Sequence, residues 1–322
     1  MKKTLMPLAI IMMLLVSACG GNNNTPGTAG NASSQPSPSP TVDANENTGN
    51  DTGTIRYQSE NGEVEVPANP QRVIVLSSFA GNVLALGVNL VGVDSWTKLN
   101  PRYDEFLKDV AEVSDESLEK IIELEPDLII GLSTIKNVDK LKEIAPTVTY
   151  TYDKVDYLTQ HIEIGKLLNK EKEAQAWVDD FKARSSQAGV DIKAKIGENA
   201  TVSVVEIYDK QLYVFGDNWG RGTEILYQEM KLTMPEKVKE VALKDGYYAI
   251  STEVLPDYMG DYVILSKFAG ADSSFQTTES YKNIPAVKNN QVFEVDGNRF
   301  FFNDPLTLED QLAFFKQKFL GE

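Results

Sequence analysis

The sequence predicts an α/β protein of two lobes, each built on a mostly parallel sheet, with one long rigid helix joining them. Three observations carry this expectation. From Arg72 on, short all-apolar runs alternate with helix-patterned stretches, as expected for strands buried on both faces in βα order. The alternation occurs twice, which makes each lobe Rossmann-like. Between the two rounds lies a charged stretch rich in good helix formers. A chain of 322 residues is long enough for two such units.

The elements follow in order. Residues 1–18 begin with Lys2 and Lys3, continue through an apolar run from Leu5 to Val16 and end in Ser17-Ala18 before Cys19. A basic start, a short apolar centre and small residues at the end form the layout of a signal peptide. The run falls short of the roughly 20 residues that a membrane-spanning helix needs. Residues 19–54 are Gly, Asn, Ser, Pro and Thr with few apolar members, so they read as a disordered tether behind Cys19. Thr54-Ile55-Arg56-Tyr57 and Val64-Glu65-Val66 flank Asn61-Gly62, a hairpin signal. The N-terminal lobe, residues 55–157, then has strands at Val73 to Leu76, Val91 to Val93, Leu128 to Ile130 and Val148 to Tyr150.

An interlobe helical segment occupies residues 158–198. Within it, Lys170 to Ile196 carries Ala174, Trp177, Val178 and Phe181 as an i, i+3, i+4, i+7 stripe. About 25 helical residues span nearly 40 Å, the width of a domain. Gly189 weakens such a helix by only about 1 kcal/mol. A single stiff connector implies a cleft that closes little. The C-terminal lobe, residues 199–322, has strands at Val202 to Val205, Tyr262 to Leu265 and Val292 to Val295.

The two lobes also share a local pattern. Ser117, Glu119 and Asp127 recur as Ser251, Glu253 and Asp261, all offset by 134 residues. In each lobe a serine suited to capping a helix precedes a glutamate in its first turn, and the aspartate opens a buried strand.

Composition excludes several functions. With 47 acidic residues against 31 basic ones the net charge is −16, which argues against nucleic acid as a partner. Loss of the leader removes Lys2 and Lys3 and leaves about −18. The chain has one cysteine and one histidine, Cys19 and His161. No disulfide framework, Cys/His zinc site, Cys-His pair or Ser-His-Asp triad can be drawn from them, so no catalytic residue is assigned and an enzyme is not expected. A hydrolase or redox enzyme would have only carboxylates and hydroxyls for its chemistry. His161 reads as an ordinary surface or half-buried residue.

Val16-Ser17-Ala18-Cys19 resembles a bacterial lipobox, in which cleavage precedes the cysteine and its sulfur carries a diacylglycerol. With the tether, the two lobes and the long helix, it resembles the iron-siderophore-binding lipoproteins of ABC importers. Five phrases in the family's order support this: Arg72-Val73-Ile74-Val75-Leu76, Leu86-Gly87-Val88 with Val91-Gly92-Val93, Glu125-Pro126-Asp127-Leu128-Ile129, Ile144-Ala145-Pro146-Thr147-Val148 and Pro285-Ala286-Val287-Lys288. The resemblance implies a class III periplasmic-binding-protein fold. Tyr213-Val214-Phe215-Gly216-Asp217-Asn218-Trp219-Gly220-Arg221-Gly222 resembles a stretch of the Gram-positive ferric hydroxamate (ferrichrome or ferrioxamine) binders. That likeness implies ligand contacts at Tyr213, Trp219 and Arg221, and Tyr152 matches a further pocket tyrosine. Phe301-Phe302 before Asn303-Asp304-Pro305 stands where a family member has Trp-Tyr, losing an indole N–H and a phenol O–H. Trp96 and Phe79 stand after buried strands, where they are core residues or ligand contacts. The glycines beside Trp219 and Arg221 also fit a plain surface turn.

The chemistry of such a ligand agrees with these residues. An iron(III) trihydroxamate is nearly neutral and its metal is fully coordinated, so the site needs aromatic walls and a few donors, which Arg221 offers as a planar fork. No metal ligand from the protein and no resident cofactor are expected. Catecholate and carboxylate chelates carry several charges and call for a basic cluster, whereas the folded body has only Arg56, Arg72, Arg102, Arg184, Arg221 and Arg299. Other iron chelates, such as a catecholate or citrate, haem and corrinoids remain alternatives on the same scaffold, and a surface adhesin is a rival that needs no such pocket. The resemblance further implies that Glu119 and Glu253 dock on arginines of the importer permease, although a carboxylate at a helix start is also favourable by about 0.3–1 kcal/mol through the dipole alone. The expected protein is a monomer, lipid-anchored through Cys19 on the outer face of the cell membrane of a Gram-positive bacterium.

Overall fold

A computed structural model describes residues 53–322. The expected signal peptide, Cys19 and nearly all of the tether lie outside the described residues. The described part opens on the expected hairpin, β1 (Thr54–Ser59) paired antiparallel with β2 (Gly62–Pro67). Its register differs by one residue from the expectation. Ser59 pairs with Gly62, so Glu60 and Asn61 are the loop, and Gly62 begins the return strand at φ +113°, a conformation glycine tolerates. The hairpin is fixed to the first lobe by Asn61 Nδ2 donating to Thr149 Oγ1 at 2.9 Å and by Tyr57 and Val66, which enter its core.

Two five-stranded sheets follow. The first contains β3 (Val73–Leu76), β4 (Leu90–Val93), β5 (Ala111–Glu112), β6 (Leu128–Leu132) and β7 (Thr147–Tyr150), all parallel, in the order β5-β4-β3-β6-β7. The second contains β8 (Val202–Tyr208), β9 (Gln211–Phe215), β10 (Tyr247–Ile250), β11 (Tyr262–Lys267) and β12 (Val292–Asp296), in the order β10-β9-β8-β11-β12. Counted within each lobe, both orders are third, second, first, fourth, fifth, the Rossmann arrangement. In the second lobe β9 follows β8 through a tight turn, so the pairs β8–β9 and β9–β10 are antiparallel while β8–β11 and β11–β12 stay parallel.

The apolar runs are buried on both faces, as expected. Val73 and Val75 join Leu128 and Ile130 in one cluster, and Ile74 and Leu76 join Ile129, Ile121 and Leu141 in another. The recurring aspartates have a structural task. Asp127 accepts from the backbone N–H of Gln71 and Arg72 just ahead of β3, and Asp261 accepts from that of Thr201 just ahead of β8. Each ties the start of one strand to its parallel neighbour. The rest of the repeat is weaker: Ser117 stands at a helix N-cap without a side-chain capping bond, and the glutamate's place in a first turn holds in one lobe only. Glu119 lies in the first turn of the helix Leu118–Glu123, whereas Ser251 and Glu253 precede a short 3-10 turn, Leu255–Asp257, with no α-helix there.

The helix Glu171–Ile196, 26 residues long, lies between the sheets in the chain and buries Ala174, Val178 and Phe181 with Ser185, Ala188, Gly189 and Ile192. Gly189 is more than a weak helix residue, because a Cβ there would lie 2.3 Å from the Met230 carbonyl oxygen. The close approach of two backbones decides this position. The second link between the lobes is the helix Pro305–Leu320. It packs along Glu171–Ile196 and against the helix Ala80–Ala85, and Leu308, Leu312, Phe315 and Phe319 fill the second lobe's core.

His161, on the helix Tyr157–Leu167, is buried with Nδ1 3.1 Å from Asn82 Oδ1 and its ring edge-on to Trp177. Burial alone holds its pKa down to about 4 from 6.5. Between those values the unfolded chain takes up a proton that the folded one refuses, so stability falls as pH drops from about 6.5 to about 4, by up to about 3 kcal/mol. Urea titrations across pH 4.5–7 should show this slope in the wild type and a flatter one in His161→Gln.

Candidate functional site

The carboxyl ends of the parallel strands bring the site together. In open α/β sheets the chain leaves strands on either side of a switch point, and a crevice opens there. In the first lobe the switch lies between β3 and β6, and β3 runs into Ser77 and Ser78, at φ 82° and 60°. Two successive serines in the left-handed region form a strained turn, held by Asp94 Oδ2 accepting from the Ser77 N–H at 2.9 Å. In the second lobe the switch lies between β8 and β11, whose carboxyl ends carry Tyr208 and Phe268.

Arg221 is placed by its own backbone. Gly220, Arg221 and Gly222 have φ of 70°, 60° and 84°, a left-handed run that glycine on both sides permits. Space requires those glycines as well, since a Cβ on Gly220 would lie 2.2 Å from the Phe301 carbonyl oxygen and one on Gly222 would lie 2.5 Å from the Phe315 ring. This segment is therefore buried packing and not the plain surface turn. A short π-helical segment, Glu224–Glu229, follows immediately.

The guanidinium fork does not stand open. Nε and Nη2 donate to the two oxygens of Glu206, each at 3.0 Å, and Nη1 donates to the Trp219 carbonyl at 2.9 Å. Three of its five N–H groups are taken, which leaves two for any further acceptor. Glu206 is 2% exposed and Arg221 7%. Ser266 Oγ donates to Glu206 Oε2 at 2.9 Å, and the guanidinium carbon sits 4.7 Å from the Phe215 ring centre and 4.2 Å from that of Phe301. Ion pair, hydroxyl and two ring faces together offset the desolvation of the charge.

Aromatic rings continue from both sides of this pair. Phe301 stacks on Trp96 of the first lobe at 5.2 Å and meets Phe268 edge-on at 6.2 Å, and Phe268 meets Tyr208 at 5.2 Å. On the other side Phe215 touches Tyr247, which contacts Tyr213 and Trp219, and Trp219 meets Tyr152 edge-on at 5.4 Å. Trp96, Tyr152, Tyr208 and Tyr247 are exposed, and so many large rings left in water on one surface mark an interaction site.

Of the residues expected from sequence, Tyr152, Tyr213, Trp219, Arg221, Phe301 and Trp96 share this belt. Phe302 does not. It is 7% exposed, belongs to the first lobe's core and packs on Tyr103, so it is a core residue. Phe79 is buried against Tyr150 and only edges the neighbouring cavity. That cavity, about 960 Å³, shares Tyr152 with the belt and has a mixed lining, in which Phe79, Val155 and Leu158 stand beside Asp153, Asp156, Asp217, Glu224 and Glu229, and the carboxylates outnumber Lys182 and Lys231. Burial raises the pKa of Glu224, which accepts from the Gly220 N–H, Asn303 Nδ2 and Thr223 Oγ1.

Glu206, Phe215, Tyr208, Tyr247 and Phe268 escape the sequence reading. Glu206 leaves a signal all the same, as one carboxylate inside the buried run Val202–Tyr208 requires a cationic partner.

Residues 73–298 match the family described as periplasmic binding protein. The chain is 34% identical over 313 residues to the iron(3+)-hydroxamate-binding protein FhuD of Bacillus subtilis, with 95% of this chain and 94% of that one covered. It is 35% identical over 323 residues to the iron(3+)-hydroxamate-binding protein YxeB of the same organism, with 97% and 95% covered. Among solved structures, FhuD2 of Staphylococcus aureus with bound ferrioxamine B matches with a TM-score of 0.74 and 34% identity, over 78% of this chain and 99% of that one.

Truncating the buried pair on one side should be costly. Arg221→Ala leaves the Glu206 carboxylate without its cation and is expected to lower unfolding stability by about 3–5 kcal/mol in urea titrations. Arg221→Met combined with Glu206→Gln, which leaves no charge behind, should recover most of that loss.

Proposed function

The chain belongs to the periplasmic binding protein family, and from that premise we propose that it captures ferric hydroxamate siderophores between its lobes and delivers them to an ABC importer. The observation that carries this reading is the aromatic belt around a single, charge-compensated arginine. A ferric trihydroxamate presents a greasy body and a ring of partly negative oxygens around a saturated metal. Flat rings meet the body, and the two uncommitted N–H groups of Arg221 meet the oxygens. The iron is cargo, so neither a protein ligand to the metal nor a resident cofactor is part of the proposal, and the protein acts by capture and release without catalysis. The two relatives and the solved structure above support the ligand class through what their names say they bind.

The leader and Cys19 support a lipid anchor on the outer face of the membrane, with residues 20–52 as the reach between anchor and body. The body would work as a monomer. Two links between the lobes, Glu171–Ile196 and Pro305–Leu320, favour small closure on binding.

Glu119 and Glu253 are the proposed contacts with the permease. Both are exposed, and each has an exposed aliphatic neighbour, Ile122 and Val254. The helix dipole accounts for an acidic residue at Glu119 alone, since Glu253 has no helix behind it. A hydrogen bond from Ser251 holds the Glu253 carboxyl below its usual range, which keeps it ionised for an arginine.

Two measurements test the reading. Tryptophan fluorescence should be quenched by micromolar ferrioxamine or ferrichrome, and Trp96→Phe and Trp219→Phe should each diminish the quenching. Trp177→Phe should leave it intact, because that indole packs on His161 and Phe181 and donates to Glu309 at 2.9 Å, with no ring of the belt among its aromatic partners. Absence of quenching in the wild type refutes hydroxamate capture. Replacing Glu119 and Glu253 together by alanine should abolish uptake by cells while affinity stays unchanged, and a loss of affinity would remove the docking role.

A further inference from the structure

We propose that Glu206 selects the charge class of iron chelate that the site accepts, by cancelling the charge of Arg221 while leaving two of its N–H groups as donors. The inference rests on the ferric hydroxamate reading and narrows it. Both side chains of the pair are almost wholly buried, so the charges are screened by each other and hardly by water. Both carboxylate oxygens face the fork, and Ser266 Oγ fixes one of them. In β8, Glu206 pairs across the sheet with Tyr213 on one side and lies beside Ser266 of β11 on the other. A central strand holds it there, and three hydrogen bonds fix its two oxygens. The other buried carboxylate nearby, Glu224, is occupied by Gly220, Asn303 and Thr223.

The consequence is electrostatic. A lone buried arginine in a pocket attracts anions strongly, and a chelate bearing three negative charges would gain most. Paired with Glu206, Arg221 presents donor geometry without a net field, in a chain whose overall charge is −16. Neutral and cationic trihydroxamates keep their hydrogen bonds, and polyanionic chelates find no counter-charge for what they leave in water.

The test uses the full folded body and two probes, ferrichrome as a neutral ferric trihydroxamate and a ferric triscatecholate as a trianion, with affinities read from tryptophan quenching. In the wild type ferrichrome should bind more tightly than the trianion. Glu206→Gln should move the ratio of the two affinities toward the trianion by at least about tenfold. Glu206→Asp keeps the charge and disturbs only the fork geometry, so it should weaken both probes with the ratio nearly unmoved. Should Glu206→Gln not fold, as judged by circular dichroism, Arg221→Gln supplies the opposite sign, with the trianion rejected at least about tenfold further relative to ferrichrome. A folded Glu206→Gln or Arg221→Gln with the wild-type ratio overturns the role of Glu206. Failure of the wild type to bind ferrichrome refutes the hydroxamate reading itself, so the two failures are separable.

Discussion

Arg221 sits between two phenylalanine rings with its charge turned into Glu206, and both lobes bear on that arrangement. Glu206 comes from the middle of the second sheet, Phe215 from the strand beside it, and Phe301 from the segment that leaves for the last helix. Phe301 in turn stacks on Trp96 of the first lobe. A cation that must be compensated on all sides therefore gathers parts of the chain that are far apart in sequence. Of the two rings that shield it, Phe215 is buried and Phe301 continues into the exposed aromatic belt.

The scaffold keeps those parts in place by separate means. Parallel strands, tied at their starts by Asp127 and Asp261, fix where the carboxyl ends lie. The long helix sets the lobes apart, and its closest approach to the second lobe depends on the missing side chain of Gly189. The last helix bridges what the long one separates. Asp304 caps it, accepts from Tyr103 of the first lobe, and packs where Gly81 leaves room.

Much of this was legible in the residues. Buried runs such as Val73–Leu76 and the stripe Ala174, Val178, Phe181 reveal strands and helix because full burial and half burial leave different periods. β5, with two residues, and β10, with three exposed ones, leave no such period. The belt was half legible. Trp219 and Arg221 lie in a recognisable motif, but Tyr208 and Phe268 gain meaning only from the strand order that sets them at a switch point. Phe302 was misplaced because neighbours in sequence on a turn face opposite ways, Phe301 to the cleft and Phe302 to the core. The equal spacing of the serine, glutamate and aspartate has its structural basis in the aspartates, whereas the serines cap nothing alike.

The return of the chain's end to the first lobe has a consequence for how the protein is made. Phe302 completes the core formed by Val73, Leu128 and Val148, and Tyr103 donates to Asp304 across 201 residues of sequence. Contacts so distant cannot form until nearly all of the chain has been synthesised, and closing such loops is slow. The first lobe accordingly stays incomplete while the rest is being produced. Whatever acts on the chain while it is unfolded therefore has until the end of its synthesis to do so.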